Sequence, residues 1–251
     1  MTRVVIGSRN RVLATEDTYF LSGTELVSNF SAYRDTFDSA DAIIWAWYAL
    51  GQDGRPDIYS TLRGTEAILN SIQALNLNGI FLSTDAVFSG RDGSYSETDK
   101  LSPQTDYARI KVAQEALMAQ FSRLRFTTFG PSFNPMRGLL IEMIASSAIN
   151  HCRPNQFFSP ISTTSLNRVI DEILGSGAAP QLYHLTSQRI SKSDCCYHLA
   201  KNIGVTLPPF LEIDMSSMDL SLKSHTHSFD ISDEIALATS EWKNISARRK
   251  L

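Results

Sequence analysis

Near the middle of the chain a short apolar run, Ile80-Phe-Leu82, ends in Ser83, Thr84 and Asp85, and Asn78-Gly79 sets it off from the helical pattern before it. An unbroken apolar run of this length reads as a strand buried on both faces, the kind found inside a parallel sheet. Two other runs have the same character: Arg3-Val-Val-Ile-Gly7 and Asp41-Ala-Ile-Ile-Trp-Ala-Trp-Tyr48. Amphipathic helical patterns alternate with them, over 58–75 and over 105–121. Strand and helix in alternation predict an α/β fold around a mostly parallel sheet.

The helical segment after the hydroxyl-ended strand carries groups suited to chemistry. In Tyr107-Ala-Arg-Ile-Lys111 the phenol and the amine are four residues apart, so a helix places them on one face. An ordinary phenol, with a pKa near about 10, is protonated at neutral pH. A neighbouring ammonium is expected to lower that pKa, which suits a group that exchanges a proton with a carbonyl oxygen. Ser83 and Thr84 can donate hydrogen bonds to the same oxygen and stabilise charge developing on it. A Tyr-x-x-x-Lys pair is weak evidence alone; the hydroxyl strand upstream gives it weight.

The sequence around these residues resembles a family. Ser83-Thr-Asp-Ala-Val-Phe-Ser-Gly90, Tyr95-Ser-Glu-Thr-Asp99, Ser102-Pro103, Tyr107–Lys111 and Asn155-Gln-Phe-Phe-Ser-Pro160 are together similar to the extended short-chain dehydrogenase/reductases, and within them to the dTDP-4-dehydrorhamnose reductases. The resemblance implies a Rossmann-like fold and a reductase of a keto-sugar nucleotide that uses NADP or NAD. It gives Tyr107, Lys111, Thr84 and Ser83 catalytic roles and places Asp85, Val87, Phe88 and Gln156 at the substrate. Ala46 fits the small residues that pass under the cofactor, with Gly7, Tyr107 and Lys111 as further cofactor contacts. The helix over 105–121 and its neighbour imply a homodimer interface. At Ala86 the related dehydratases carry an acid, so elimination is disfavoured. Thr61 stands where the family has Asn, and Trp45, Trp47 and Tyr48 stand where it has small residues; these aromatics read as core and rim packing.

One expected element is missing. After a first strand of this kind a Gly-rich turn normally opens a helix against the pyrophosphate. Here Gly7 is followed by Ser8-Arg-Asn-Arg-Val-Leu-Ala14, with no glycine before Gly23. The first helix is expected to be missing or reduced. Arg9 and Arg11 can attract a phosphate by charge; the plainer reading is a solvated hairpin tip. Tyr19–Ser22 and Glu25–Val27 read as strand pieces, and 29–37 as a short helix.

The domain plan is a core over 1–130, with 131–251 completing it and forming a small substrate lobe; 138–148 is expected to be helical. A net charge of −3 without a basic stripe disfavours nucleic acid. No apolar run spans a bilayer, and no metal site is expected, His225-x-His227 lacking further ligands. Three cysteines, Cys152, Cys195 and Cys196, predict no disulfide framework and suit a reducing cytoplasm. Three functions stay open: the reductase, a non-redox binding or regulatory relative that lost the cofactor loop, and a nucleotide-sugar epimerase.

Overall fold

The apolar runs do become the buried strands of a parallel sheet in the computed structural model, which describes residues 1–7, 17–75, 77–129, 154–204 and 217–248. Arg9, Arg11, the 138–148 helix and Cys152 lie outside the described residues. The sheet has seven strands: β1 (Arg3–Ile6), β2 (Thr18–Leu21), β3 (Ala42–Trp45), β4 (Asn78–Leu82), β5 (Ser122–Arg125), β7 (Leu182–Ser187) and β10 (His227–Phe229). Their order is β10-β7-β5-β4-β3-β1-β2. β1 pairs with β2 and β3, β3 with β4, β4 with β5, and β7 with β10, all parallel. This is the Rossmann-like architecture expected, with one departure: only β2 lies beyond β1, and residues 7–17 alone join the two. A parallel crossover usually takes about a dozen residues or more, so this connection is short in sequence, and residues 8–16 of it lie outside the described residues.

The chain divides into two compact units. The first comprises Met1–Phe88, Leu101–Arg125 and Ile170–Tyr183. Its helices begin with α1 (Gly23–Asn29), followed by a 3-10 turn at Phe30–Tyr33 and α2 (Arg34–Asp38). Glu25–Val27 is therefore helical and not the strand its pattern suggests. The Ser22 hydroxyl caps the helix by accepting from the Glu25 N–H, and Leu26 is its one large buried side chain. In α3 (Ile58–Ile72), Asp57 caps the N-terminus through the Ser60 N–H at 3.0 Å, and Thr61, Gly64, Thr65, Ile68 and Ile72 form the buried stripe. Thr105 caps α4 (Asp106–Leu117). β5 runs from Ser122 to Arg125.

The core of this unit is aromatic at its centre: Trp45, Trp47, Phe37 and Phe81 pack with Leu26, Ile68, Ile72 and Met118. Trp47 fixes the helices around it. A methyl group built on Gly23 would come within 2.3 Å of the indole, and one on Gly64 within 2.6 Å. Both glycines are there because the indole needs their space. At the end of β1, Gly7 has φ +138, and a methyl on it would lie 2.9 Å from the Ala46 carbonyl carbon. Glycine is required there for close backbone approach between β1 and the exit of β3.

The second unit comprises Ser89–Lys100, Phe126–Val169 and His184–Leu251. A three-stranded sheet, β8 (Ile190–Ser191), β6 (Gln156–Phe158) and β9 (Met218–Asp219), belongs to it, with α6 (Lys192–Ile203) and α7 (Ile231–Arg248). Phe129, Phe158, Cys195, Leu199, Ile235 and Ala238 form its core. The helix α5 (Thr163–Ser176) starts here, where buried Glu234 of α7 accepts from the Ser162 N–H and the Ser165 hydroxyl. Cys196 is disulfide-bonded, which corrects the expectation of no disulfide, while Cys195 beside it is a free, buried thiol. Among the described residues no helix is long and apolar enough to cross a membrane, and no cluster of side chains could hold a metal ion.

The Trp47 wedge can be tested. Gly23→Ala should cost about 1–3 kcal/mol by overpacking. In Trp47→Leu the same substitution should cost markedly less, because the clashing ring is gone. Urea unfolding of the double-mutant cycle measures this; additive costs would show that the indole does not govern the glycine.

Candidate functional site

In an open α/β sheet, ligands bind beyond the carboxyl ends of the strands, where the chain switches direction. Here the chain leaves β1 for β2 on one side and returns at β3 on the other. The switch point therefore lies at the exits of β1 and β3, with β4 next along. Gly7 and Ala46 mark the first two exits and Ser83-Thr84 the third.

β4 ends at Leu82, and after it Thr84 turns the chain into a 3-10 turn at Asp85–Val87. The Thr84 hydroxyl accepts from the Ala86 N–H at 3.2 Å and lies 3.1 Å from the Asp85 carboxylate. The phenol of Tyr107, in the first turn of α4, lies close enough to the Thr84 side chain for that hydroxyl to favour its ionised form. Tyr48, just past β3, meets the Tyr107 ring edge to face, with centroids 5.4 Å apart and planes at 66°.

Lys111 is one turn further along α4. Its ammonium donates to the Leu82 carbonyl at 2.9 Å and lies over the Phe81 ring at 4.8 Å and the Tyr107 ring at 5.9 Å. Two of its three donors are left over. Glu115, one turn further again, is buried; it pairs with Arg125 of β5 through two contacts, at 2.9 and 2.6 Å. Into this pair Ser83 donates its hydroxyl, 2.5 Å from the Glu115 carboxylate.

The electrostatics correct one expectation. Burial pushes the Tyr107 phenol above its ordinary pKa, and electrostatic repulsion of its ionised form by Tyr48 and Asp85 pushes it further; only the Thr84 hydroxyl opposes them. Lys111 does not make the phenol more acidic. Its own ammonium is driven down to about 7 by burial, with Glu115 acting the other way. The pair is thus a phenol that keeps its proton and an amine that loses one readily.

Of the residues singled out from sequence, the structure brings Thr84, Tyr107 and Lys111 together, and Gly7 against Ala46. Ser83 is tied to Glu115. Asp85, Val87 and Phe88 are buried, with the Arg125 guanidinium over the Phe88 ring at 5.4 Å. Gln156 belongs to the second unit, where it accepts from Lys192 at 2.9 Å. Sequence reasoning missed Glu115 and Arg125. The spacing Tyr107, Lys111, Glu115, each four apart on one helix face, was the signal that could have shown the first.

A nicotinamide nucleotide fits the reacting end of this site. Ala46 is small, and Lys111 has donors to spare. At the diphosphate end, Gly7 is used in backbone packing, and the first helix among the described residues, α1, follows β2, with Trp47 against Gly23. The described residues supply no phosphate cradle there.

The fold is shared with solved structures of low sequence identity. A dTDP-4-dehydrorhamnose reductase from Bacillus anthracis, solved in complex with NADP, superimposes with a TM-score of 0.74 at 16% identity, covering 97% of this chain and 99% of that one. One from Clostridium acetobutylicum gives 0.72 at 15% identity, covering 98% and 100%. A UDP-glucuronic acid 4-epimerase from Bacillus cereus, solved with NAD, gives 0.68 at 14% identity, covering 97% of this chain and 99% of that one. No curated protein matches the chain. The family model of the RmlD substrate binding domain matches residues 58–229, well over half of the sequence, and the chain therefore belongs to that family, within the extended short-chain dehydrogenase/reductases.

Proposed function

We propose that the protein is a reductase of a keto-sugar nucleotide, of the dTDP-4-dehydrorhamnose reductase kind, that works with NADPH or NADH in the cytoplasm. The observation that carries this reading is the grouping of Thr84, Tyr107 and Lys111 at the exit of β4 beside the switch point, with Lys111 donating to the Leu82 carbonyl and lying over the Tyr107 ring at 5.9 Å. The structural neighbours solved with NADP or NAD support a nicotinamide partner. When bound, that cofactor supplies hydride to the carbonyl carbon. The residues of this chain do the rest.

Tyr107 gives its proton to the oxygen as it becomes an alkoxide. A phenol held protonated by burial is well suited to donate to a strong base, since an alkoxide is far more basic than a phenolate. Thr84 holds the same oxygen from the strand side and stabilises its charge. Lys111 would offer its remaining donors to the ribose of the nicotinamide nucleotide. Arg9 and Arg11 are the cations the sequence offers to the diphosphate.

Isothermal titration with NADPH and NADH, then cofactor oxidation with dTDP-4-dehydrorhamnose, tests the proposal directly. The expected result is binding of one nucleotide and turnover of the sugar. Absence of binding at millimolar nucleotide would favour a non-redox relative. Tyr107→Phe should reduce kcat by roughly 10²–10⁴-fold with KM little changed, because only proton donation is removed; a KM effect without a kcat effect would rule out the acid role.

Lys111 adds a pH dependence with a definite sign. Its amine is charged below about 7 and neutral above. Nucleotide affinity that uses the charge is full on the acid side and declines as pH rises through that value. From about pH 6 to about pH 8 the affinity should fall by up to about tenfold. Lys111→Arg, which stays charged, should flatten the profile. An unchanged slope would show that the ammonium takes no part in binding.

A further inference from the structure

Tyr48, whose ring packs edge to face on Tyr107, has no part in the proposed reaction. It is half-buried, and its hydroxyl makes no hydrogen bond to the described residues. It follows that hydrogen bonding by its own side chain does not set its position. The backbone on both sides of it does.

The Trp47 carbonyl accepts from the Gln114 side-chain amide at 3.1 Å. The Ala49 N–H donates to the Thr61 hydroxyl at 2.9 Å, and Thr61 in turn donates to the Asp57 carbonyl at 2.6 Å. Gln114 and Thr61 are completely buried. Gln114 sits on α4, two turns after Tyr107, and also donates to Thr65 of α3 at 3.0 Å. Behind Tyr48, the Trp47 indole is wedged against Gly23 and Gly64. The peptide that carries Tyr48 is thus pinned to α3 and α4 by buried side chains and anchored by a core tryptophan. Such a backbone leaves a ring few orientations, and the one adopted is edge-on to Tyr107 at 5.4 Å.

Tyr107 needs outside support of this kind. It stands in the first turn of α4, where helices fray most readily. No side-chain hydrogen bond to the described residues holds its hydroxyl, so the ring is left able to pivot. An edge-to-face neighbour limits that pivot.

We infer that Tyr48 is a positioning residue: its ring, held by the Gln114 and Thr61 backbone clamps, sets the angle at which Tyr107 presents its hydroxyl to the substrate carbonyl. The inference rests on the proposed reduction for its catalytic meaning, but the ring contact itself can be tested without substrate. It also gives Thr61 a specific task, to hold the segment that carries Tyr48.

The test combines labelled protein and kinetics. Protein with ¹³C at the tyrosine ring Cζ reports Tyr107 as the signal lost in Tyr107→Phe. In Tyr48→Ala, and in Tyr48→Leu should the alanine variant fold poorly, that signal should shift or broaden. In Tyr48→Phe, which restores a ring, it should return towards its wild-type position. With NADPH and dTDP-4-dehydrorhamnose, Tyr48→Ala should lower kcat by roughly tenfold or more, as misplacement of a reacting group does. KM should stay within about twofold, and Tyr48→Phe should recover most of the loss. A Tyr107 signal unmoved in the ringless variants overturns the inference. So does a loss confined to KM that phenylalanine fails to rescue, which would make the hydroxyl a substrate contact. If the wild-type protein turns over no substrate, the proposed function fails separately, and the Tyr107 signal still decides whether Tyr48 positions it.

Discussion

A buried ammonium must find acceptors, and that requirement organises the active end of the sheet. Lys111 satisfies it by donating to the carbonyl of Leu82, the last residue of β4. The bond crosses from helix to strand at the point where the chain leaves the sheet, so α4 cannot slide along β4 without exposing a charge to apolar surroundings. Three residues four apart on α4 then meet three successive residues of the strand exit: Tyr107 faces Thr84, Lys111 holds Leu82, and Glu115 takes Ser83. The register of helix against strand is specified three times over, each time by polar chemistry.

The deepest of the three contacts shows what this costs. Glu115 and Arg125 are both removed from water, and a buried ion pair seldom exceeds in stability the apolar packing that could replace it. Its effect here is geometric. The bidentate contact joins α4 to β5, while the Ser83 hydroxyl joins it to β4. Losing either charge would leave the other uncompensated in the core. Glu115 also favours the charged form of Lys111, opposing the burial that strips its proton. The floor of the site therefore tempers the loss of charge that burial imposes on its middle, and the middle borders the phenol at its mouth.

Much of this could be read from the sequence, for identifiable reasons. Strands buried on both faces are written as unbroken apolar runs, and β1, β3 and β4 stand where those runs are. The Tyr107–Lys111 spacing is a property of the helix alone, so it survived translation into three dimensions. Contacts between residues distant in sequence were not legible. Ser83 looked like a free hydroxyl at a strand end because its partner is 32 positions away. The sign of the Tyr107 shift was missed for a related reason: a cation four residues away is visible in the sequence, whereas burial is not, and burial is the larger effect here. Glu25–Val27 has the pattern of a strand, and only the Ser22 cap and the packing of Leu26 reveal the helix.

The absence of glycines between Gly7 and Gly23 bears on how a dinucleotide could be held. A glycine-loop site binds diphosphate through backbone N–H groups at the start of the helix that follows the first strand, an interaction of short range and fixed direction. In this chain the first helix among the described residues begins at Gly23, after β2, with Ser22 already capping it and the Trp47 indole against Gly23. Under the proposed function, charge would have to replace direction, supplied by arginines from the β1–β2 connection. Charge acts through solvent and is screened over about 8 Å at physiological ionic strength. Nucleotide affinity would then fall steeply with added salt, whereas a backbone cradle is far less sensitive. The same substitution would loosen the hold on the adenosine half and leave Lys111, Tyr107 and Thr84 to fix the reacting half, which is where the polar register of α4 against β4 is strictest.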